Sequence, residues 1–168
     1  QGADDGTAFA GWYLDEALTQ KLSGNLPWQE EVTVYAKWCN VRAALDCDLP
    51  FVLGGGANWY EQSAKVHKGT SALQSGTIGD DESTYVETTV TGPCLLSFWW
   101  CVSSEEDCDI LTVSVDGDED REISGSRKTW SKVQLMILEG EHTVRWTYSK
   151  DVSVDNGEDC AWLDDVSY

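Results

Sequence analysis

The sequence predicts an all-β protein, either a sandwich or a barrel. Helix signals are nearly absent, and apolar residues alternate with polar ones at a period of two along most of the chain. Turn signals rich in Gly, Asp and Asn separate the alternating segments. Short strands at this spacing, without long helices, are typical of sandwiches and barrels. The nine tryptophans and six tyrosines supply large side chains for such a core.

The alternating segments are predicted as strands. They span residues 31–38, 84–90, 95–102, 110–117, 131–138, 142–149 and 161–168. Turn sequences are predicted at 91–93, 116–120, 139–141 and 155–159, and the one helix candidate is 15–22. Trp99 and Trp100 are neighbours in a predicted strand and point to opposite faces. One of them is therefore expected in the core and the other on the outer face, under another segment or in a contact surface.

The charge of the chain excludes some classes of partner. Its 168 residues include 30 Asp and Glu but 11 Lys and Arg, a formal net charge of −19. Such a chain is repelled by phosphate backbones and anionic lipids, so no nucleic-acid partner is expected. The sequence has no run of about 18 apolar residues, so no membrane insertion is expected either.

The two chain features that bear on localisation are its first residue and its cysteines. The chain begins with Gln1, and its single methionine is Met136. Together with six cysteines, this favours a protein processed after secretion, at the cell surface or outside the cell. The alternative is a set of six free buried thiols in a cytosolic protein.

A change of composition near residue 40 predicts two parts, residues 1–40 and 41–168. The stretch 39–59 holds a triple Gly and two closely spaced cysteines. A unit of about 40 residues rarely buries enough apolar surface to be stable without cross-links or a partner. Residues 1–40 are therefore expected to need either cross-links or a partner.

Residues 11–38, GWYLDEALTQKLSGNLPWQEEVTVYAKW, resemble the second half of a Listeria–Bacteroides (internalin B-type) repeat. The resemblance lies in the GWYLDEALT start, the turn that follows and the terminal VTVYAKW. It implies a small β-grasp-like unit of a bacterial surface protein, here a half-module because the first strands of the repeat would precede Gly11.

A half-module left alone would expose apolar surface and an unpaired strand edge. Exposed edges recruit strands, and a head-to-tail contact of this kind generates a filament. We therefore expect copies of the chain as partners, with Trp12, Tyr13 and Trp28 as interface residues. In the two alternatives, the half-module packs on the second part of its own chain, or the chain is a proteolytic fragment.

Residues 45–168 resemble a jelly-roll module of secreted proteins of environmental bacteria, akin to carbohydrate-binding and MAM-type sandwiches. The segments that carry the resemblance are ALD 44–46, SALQSG 71–76, VETTVTGP 87–93, LSFWWCVSS 96–104, SVDG 114–117, GEHTVRWTYSKD 140–151 and AWLDDVSY 161–168. The resemblance implies a jelly-roll β-sandwich for the second part and leaves its function open.

The same resemblance implies a structural calcium ion as cofactor. Its ligands would be an acid of the last strand, Asp164 or Asp165, and an acid near the first, Asp46 or Asp48. A rival acidic stretch, 116–120, lacks the Gly and Glu positions of a calcium loop, and its Asp-Gly favours a hairpin turn.

The six cysteines allow several pairings. Cys39 with Cys47 and Cys108 with Cys160 are candidate disulfides, since each pair is expected to lie at one end or junction of the fold. That leaves Cys94 and Cys101, about 23 Å apart along a regular strand and too far to pair with each other. Either these two are free, or they reach another chain, or the proposed pairing is wrong.

No catalytic constellation is visible in the sequence. It contains neither a nucleophile elbow, nor a zinc-protease motif, nor a phosphate loop, and adjacent acids in a strand point to opposite faces. Trp59 and Tyr60 follow a Gly-rich loop and are the candidates for stacking on a glycan. The sequence predicts a non-catalytic secreted surface protein, a structural or adhesive building block that self-assembles. The alternative is a carbohydrate-binding module of a larger enzyme or adhesin, and a plain structural spacer ranks third.

Overall fold

The computed structural model describes residues 7–17, 20–22, 32–127 and 129–168. The described residues form an all-β structure with one short helix. The strands are β1 (Thr7–Tyr13), β2 (Tyr35–Asn40), β3 (Phe51–Gly55), β4 (Tyr60–Gln62), β5 (Ala72–Gln74), β6 (Ser83–Ser103), β7 (Ile110–Val115), β8 (Asp118–Ser124), β9 (Ser131–Ser149) and β10 (Cys160–Ser167), and the helix is α1 (Val41–Ala44). Within these ranges, no helix is long and apolar enough to cross a membrane.

Two long antiparallel strands, β6 and β9, form the centre of the fold. They pair from Ser83–Ser149 at one end to Trp100–Ser131 at the other. The strand order is β4-β5-β10-β6-β9-β7-β8, and β3 pairs with the first half of β6. Since β3 and β7 flank one end of the β6–β9 pair while β10 flanks the other, each long strand belongs to both halves of the sheet.

The sheet bends where Gly92 faces Gly140, next to a bulge between Gly92 and Cys94. Beyond the bend the two halves of the sheet lie face to face. Phe98, from the second half of β6, meets Trp146, from the second half of β9, edge to face at a centroid distance of 5.2 Å. Both side chains are fully buried. The structure is therefore a β-sandwich, as the sequence predicts.

The core is filled from the inward-pointing positions of the long strands. Its largest fully buried side chains are Trp59, Trp146, Trp162, Tyr148 and Phe98. The prediction for the two neighbouring tryptophans is confirmed. Trp100 is 2 % exposed, whereas Trp99 lies on the outer face, where the ring of His67 stacks on it at 3.9 Å. His67 belongs to the β4–β5 loop (residues 63–71), which covers this face.

The N-terminal strands β1 and β2 form a separate two-stranded antiparallel sheet. This sheet packs on the sandwich of its own chain, because Ala10 and Cys39 share one buried cluster with Leu45. The side-chain amide of Asn58 also donates a hydrogen bond to the carbonyl of Phe9 at 3.0 Å. The strand β2 ends at Asn40, whose side chain accepts the backbone N–H of Ala43 and caps α1. The division into residues 1–40 and 41–168 stays a prediction.

The interface candidates of this N-terminal part differ in accessibility. Trp12 is 47 % exposed, whereas Tyr13 is buried. Trp28 lies outside the described residues. The resemblance of residues 11–38 to a bacterial repeat stays a prediction.

Several predicted elements differ from the structure. The described part of 15–22 forms a turn and a β-bridge instead of a helix, because the backbone N–H of Leu22 bonds to the carbonyl of Trp12 and closes a hairpin. The predicted turns at 91–93 and 139–141 are bends within continuous strands. Their glycines allow the strands to bend without reversing.

The strands that the sequence analysis missed are β1, β3, β4, β5 and β8. Of these, β3, β4 and β5 have five residues or fewer, which is too short for alternation to stand out. The strand β8 contains a run of charged residues and lies at the edge of the sheet, where both of its faces reach water.

We predict that Gly92→Ala destabilises the protein by about 3 kcal/mol or more. A Cβ atom on Gly92 would overlap the carbonyl oxygen of Leu138, a backbone atom that cannot move without breaking the β6–β9 pairing. The measurement is the free energy of unfolding in urea.

The control for this prediction is Gly117→Ala. Gly117 has a φ of +90° and no atom within 4 Å of an added Cβ, so this substitution carries only the conformational penalty of about 1 kcal/mol. Equal losses in the two variants would contradict the proposed clash.

Candidate functional site

A polar groove lies on the solvent face of the sheet half that contains β7 and the second half of β9. Its volume is about 580 Å³, and it is lined by Thr112, Ser114, Asp116, Gly117, Glu119, Thr143, Arg145, Thr147 and Ser149. The alternation of strand residues explains this composition. The odd-numbered positions of β9 from Thr143 face the groove, while Val144, Trp146 and Tyr148 fill the core.

The strand register brings the groove residues together in rows. Arg145 pairs with Glu87 of β6 on one side and with Ser114 of β7 on the other. In the next row, Thr147 lies between Tyr85 and Thr112 in the same way. Side chains directly opposite one another in such pairs lie within about 5 Å and interact.

Arg145 is held in place from two sides. Its Nε and Nη2 atoms donate to Oε2 of Glu87 at 2.7 and 2.6 Å. Its guanidinium carbon lies 4.1 Å from the centre of the Tyr85 ring, in a cation–π contact. The Arg145 side chain is still 43 % exposed. A guanidinium has five N–H donors, so a fixed and partly exposed Arg145 has donors left for a ligand.

Tyr85 depends on a glycine of the neighbouring strand. Gly54 of β3 pairs with Tyr85, and a Cβ at Gly54 would overlap the Tyr85 hydroxyl and ring. The absence of a side chain at Gly54 therefore lets the Tyr85 ring lie across β3, beside Arg145.

One edge of the groove is formed by the turn between β7 and β8. Asp116 and Gly117 have positive φ angles, as a two-residue hairpin turn requires, so the turn prediction holds for the start of 116–120. The Asp116 carboxylate bonds to Nδ1 of His142 at 2.7 Å and to the backbone N–H of Thr143 at 2.8 Å. The hydrogen bond between the two side chains raises the pKa of His142 and lowers that of Asp116.

The groove is built to bind through hydrogen bonds. Its hydroxyls both donate and accept, Arg145 donates, and Glu119 accepts. Two of the nearby acids are already engaged, Glu87 with Arg145 and Asp116 with His142. The arrangement therefore offers many fixed donors and acceptors along a surface about three strands wide.

The aromatic residues predicted for ligand stacking lie elsewhere. Trp59 is 0 % exposed and belongs to the core, so it offers no face to a ligand and its predicted role is corrected. Tyr60 is partly buried, and burial raises its pKa to about 12. The ammonium of Lys21, from the N-terminal part, lies 5.5 Å from the Tyr60 ring. Neither residue lines the groove.

Three of the four predicted calcium ligands, Asp46, Asp164 and Asp165, lie near one another, and the oxygens of Asp164 and Asp165 have other partners. The fully buried Asp164 accepts backbone N–H bonds from His67 and Lys68 on Oδ2, and from Asp165 on Oδ1. Burial raises the pKa of Asp164, and these hydrogen bonds oppose the rise. Asp165 forms an ion pair with Lys68 at 2.5 Å.

Asp46 lies at the other side of this cluster, with its carboxylate next to Gly69. Asp48 is exposed on the same loop. The ammonium of Lys68 thus already supplies a positive charge close to where Ca²⁺ would bind. The calcium site stays a prediction.

All six cysteines lie in the described ranges, and all six carry free thiols. Cys101 and Cys160 share a buried cluster with Trp162, whereas Cys108 lies beside Glu105 at the end of the β6–β7 loop. The predicted pairing of Cys108 with Cys160 is therefore corrected, because these two belong to different clusters. Burial raises the pKa of Cys160 to about 12 and that of Cys101 to about 11.

The other three cysteines, Cys39, Cys47 and Cys94, lie at separate places in the fold. Cys39 accepts a hydrogen bond from the backbone N–H of Glu61 at 3.0 Å, and burial raises its pKa to about 12. Cys47 follows α1 along the chain and is buried, and the predicted disulfide between Cys39 and Cys47 is not formed. Cys94 is half-buried at the bend of β6, on the same strand as Cys101.

Comparison with known proteins supports the fold. No protein-family model matches the chain, and no curated protein matches it. Among solved structures, it is similar to the secreted serine protease VesC from Vibrio cholerae, with a TM-score of 0.56 and 16 % identity over 80 % of this chain. The match covers 30 % of VesC, so this chain spans less than a third of that protein.

Two further structures illustrate the range of similar proteins. The K2 cleaved adhesin domain of Lys-gingipain matches 70 % of this chain and 90 % of its own, with a TM-score of 0.52 and 14 % identity. TmCBM61, solved in complex with β-1,4-galactotriose, matches 70 % of this chain and 86 % of its own, with a TM-score of 0.45 and 19 % identity. Several other similar structures are also carbohydrate-binding modules. At 16 and 14 % identity, the matches to VesC and to the adhesin domain bear on the fold alone.

We predict that Ca²⁺ raises the melting temperature of metal-free protein by about 5 °C when it is present at a hundredfold excess over its dissociation constant. The chelator EGTA should reverse the rise. Asp46→Asn should abolish the rise in melting temperature, because it removes one of the predicted calcium ligands. Asp46 is chosen because its carboxylate is not used in a backbone contact.

The comparison variant is Asp118→Asn, which removes a carboxylate of the rival acidic stretch. It should respond to Ca²⁺ as the unmodified protein does. A melting temperature that neither Ca²⁺ nor EGTA changes would rule out the calcium site.

Proposed function

We propose that this chain is a non-catalytic, secreted module that binds carbohydrate in the polar groove on β7 and β9. The observation that carries the proposal is the fixed Arg145, held by Glu87 and Tyr85 among the hydroxyls of the groove. A sugar chain presents a row of hydroxyls that both donate and accept. The groove offers the complementary donors and acceptors, in rows set by the strand register.

The charge of the groove favours a neutral glycan. Arg145 is its single lining cation, while Asp116 and Glu119 are acidic, and the whole chain carries a net charge of −19. An anionic polysaccharide would be repelled by this field. The partly buried ring of Tyr85 lies against the Arg145 guanidinium and fixes it among these polar groups.

The non-catalytic part of the proposal rests on the state of the acids. A glycosidase needs two carboxyl groups free to act on one bond. In this groove Glu87 is bound by Arg145 and Asp116 is bound by His142. The secreted part rests on the composition of the chain and on its similarity in fold to VesC, a secreted protein.

We predict that Arg145→Ala weakens binding of a neutral polysaccharide about tenfold to a hundredfold. This corresponds to the loss of a hydrogen bond from a charged group, about 1.5–3 kcal/mol. Gly54→Ala should also weaken binding, because the added methyl group displaces the Tyr85 ring. The measurement is affinity electrophoresis against soluble glucans, xylans, mannans and galactans, followed by calorimetry on the best ligand.

The matched control is Arg121→Ala, which removes the same charge from β8. Arg121 is exposed, pairs with its neighbour Asp120 and does not line the groove. Its affinity should equal that of the unmodified protein. If none of these neutral polysaccharides binds, or if Arg121→Ala and Arg145→Ala lose affinity equally, the groove is not the binding site.

The second candidate function is self-assembly through the N-terminal sheet, as in a structural or adhesive protein. Phe9 packs edge to face against Trp12 and Trp38, at centroid distances of 5.2 and 5.7 Å. Trp12 is 47 % and Trp38 58 % exposed, and Leu14 beside them is 43 % exposed. A group of exposed aromatic residues of this kind favours contact with another protein surface.

We predict that the protein self-associates at high concentration, and that the double substitution Trp12→Ser and Trp38→Ser weakens the association at least tenfold. Sedimentation equilibrium measures it. Val152→Ser is the control, because Val152 is 73 % exposed but lies on the β9–β10 loop. A monomer at the highest concentrations tested would eliminate this second function and leave carbohydrate binding untouched.

A further inference from the structure

A cluster of possible metal ligands lies at one end of the sandwich, away from the groove residues that carry the proposed function. Glu105 and Cys108 belong to the β6–β7 loop (residues 104–109), and Asp151 follows the end of β9. One carboxylate oxygen from each acid and the Cys108 Sγ atom all lie within 4.8 Å of one another. Each of the three side chains is partly buried.

The second observation is a pair of carboxylate oxygens that lack a partner. Asp109 is 0 % exposed; its Oδ1 accepts the backbone N–H of Asp151 at 3.1 Å, while its Oδ2 accepts no hydrogen bond from the described residues. Within the cluster, Oε2 of Glu105 is likewise shielded from solvent and unpaired among the described residues. A buried carboxylate oxygen without a partner costs several kcal/mol, and this cost is removed when a cation binds.

The nearest buried cation is already used by other acids. The side chain of Lys150 is 3 % exposed and forms ion pairs with Asp155 and with Asp159, the latter at 2.7 Å. Asp80 lies 3.7 Å from the same ammonium. The positive charge of Lys150 is therefore shared among these aspartates, and the Glu105–Cys108–Asp151 cluster retains its own negative charge.

We propose that Glu105, Cys108 and Asp151 bind a zinc ion, with the carboxylate of the buried Asp109 nearby as the third carboxylate. The thiol selects the metal, because Ca²⁺ and Mg²⁺ take oxygen ligands whereas Zn²⁺ binds thiolate sulfur together with carboxylate oxygen. Cys108 binds as the thiolate, and its proton is released to solvent. Tetrahedral zinc places its ligand atoms about 3.5 Å apart. Since the three atoms lie within 4.8 Å of one another, they need to approach by no more than about 1.3 Å.

The zinc ion would join two loops that the sheet leaves unconnected. The β6–β7 loop and the β9–β10 loop (residues 150–159) extend from adjacent strands at the same end of the sandwich. The backbone N–H of Asp151 already donates a hydrogen bond to Asp109 across these two loops. A metal bound to both loops would fix this end of the sandwich, and its role is therefore structural.

The test uses the full chain, stripped of metal and then titrated with Zn²⁺ by calorimetry and with Co²⁺ by absorption. Zn²⁺ should bind at a one-to-one ratio, and Co²⁺ should give the near-ultraviolet charge-transfer band of a thiolate ligand. Cys108→Ser should remove that band and weaken Zn²⁺ binding at least tenfold. Glu105→Gln and Asp151→Asn should each weaken binding at least tenfold while the band persists.

The matched control is Cys94→Ser, which removes another half-buried thiol that lies at the bend of β6. It should leave Zn²⁺ affinity and the cobalt band unchanged. In the unmodified protein, Zn²⁺ should also protect Cys108 from iodoacetamide, as measured by peptide mass spectrometry, which makes the test independent of whether a variant folds.

Three results would overturn the proposal. They are equal Zn²⁺ affinity in Cys108→Ser and the unmodified protein, no protection of Cys108 by Zn²⁺, or protection of Cys108 by Ca²⁺ in preference to Zn²⁺. None of them bears on carbohydrate binding, which depends on Arg145.

Discussion

The pairing of β6 with β9 is the constraint on which the other features depend. These two strands run through both halves of the sheet, and the remaining strands of the sandwich add to one or the other, directly or through a neighbour. The bend at Gly92 and Gly140 lets one continuous pair supply both layers of the core. The register of this pair also places Glu87 opposite Arg145, which shapes the groove. The bend then brings the end of β6 and the end of β9 together at the end of the sandwich where the proposed zinc ligands lie.

The ends of the sandwich are held by buried charge rather than by apolar contacts. At one end, Lys150 is surrounded by aspartates, and the Tyr148 hydroxyl donates to Asp159 at 2.8 Å. At the other face, the buried Asp164 holds the β4–β5 loop over Trp99 through three backbone N–H groups. Each of these buried charges has several partners, and a buried charge left without any partner would cost about 3–5 kcal/mol. A chain with 30 acidic residues can therefore fold with some of them buried, provided that each buried carboxylate accepts a hydrogen bond.

The central strands can be predicted from the sequence because the alternation of apolar and polar residues shows which face of each strand is buried. It does not predict the long bent strands, because Thr91–Pro93 has the composition of a reversing turn and only the opposed glycine of β9 shows that the pair continues. The groove follows from the same alternation, since Tyr85, Glu87, Arg145 and Thr147 are the polar partners of core positions. Which of them become neighbours depends on register, and that is fixed by pairing across about 60 residues. The sequence does not distinguish the two environments open to Trp59, because a tryptophan beside a Gly-rich loop can either face solvent or fill the core beneath that loop, as it does in the structure.

The burial of the thiols has a consequence for the redox chemistry of the protein. Disulfide exchange proceeds through the thiolate, and a pKa of about 12 leaves roughly one thiol in 100,000 deprotonated at pH 7. Cys39 and Cys160 are in this state, and Cys101, with a pKa of about 11, is close to it. These three residues can therefore persist in the reduced form in an oxidising environment. These thiols stay reduced because their oxidation is slow, even where the ambient redox potential favours the disulfide at equilibrium.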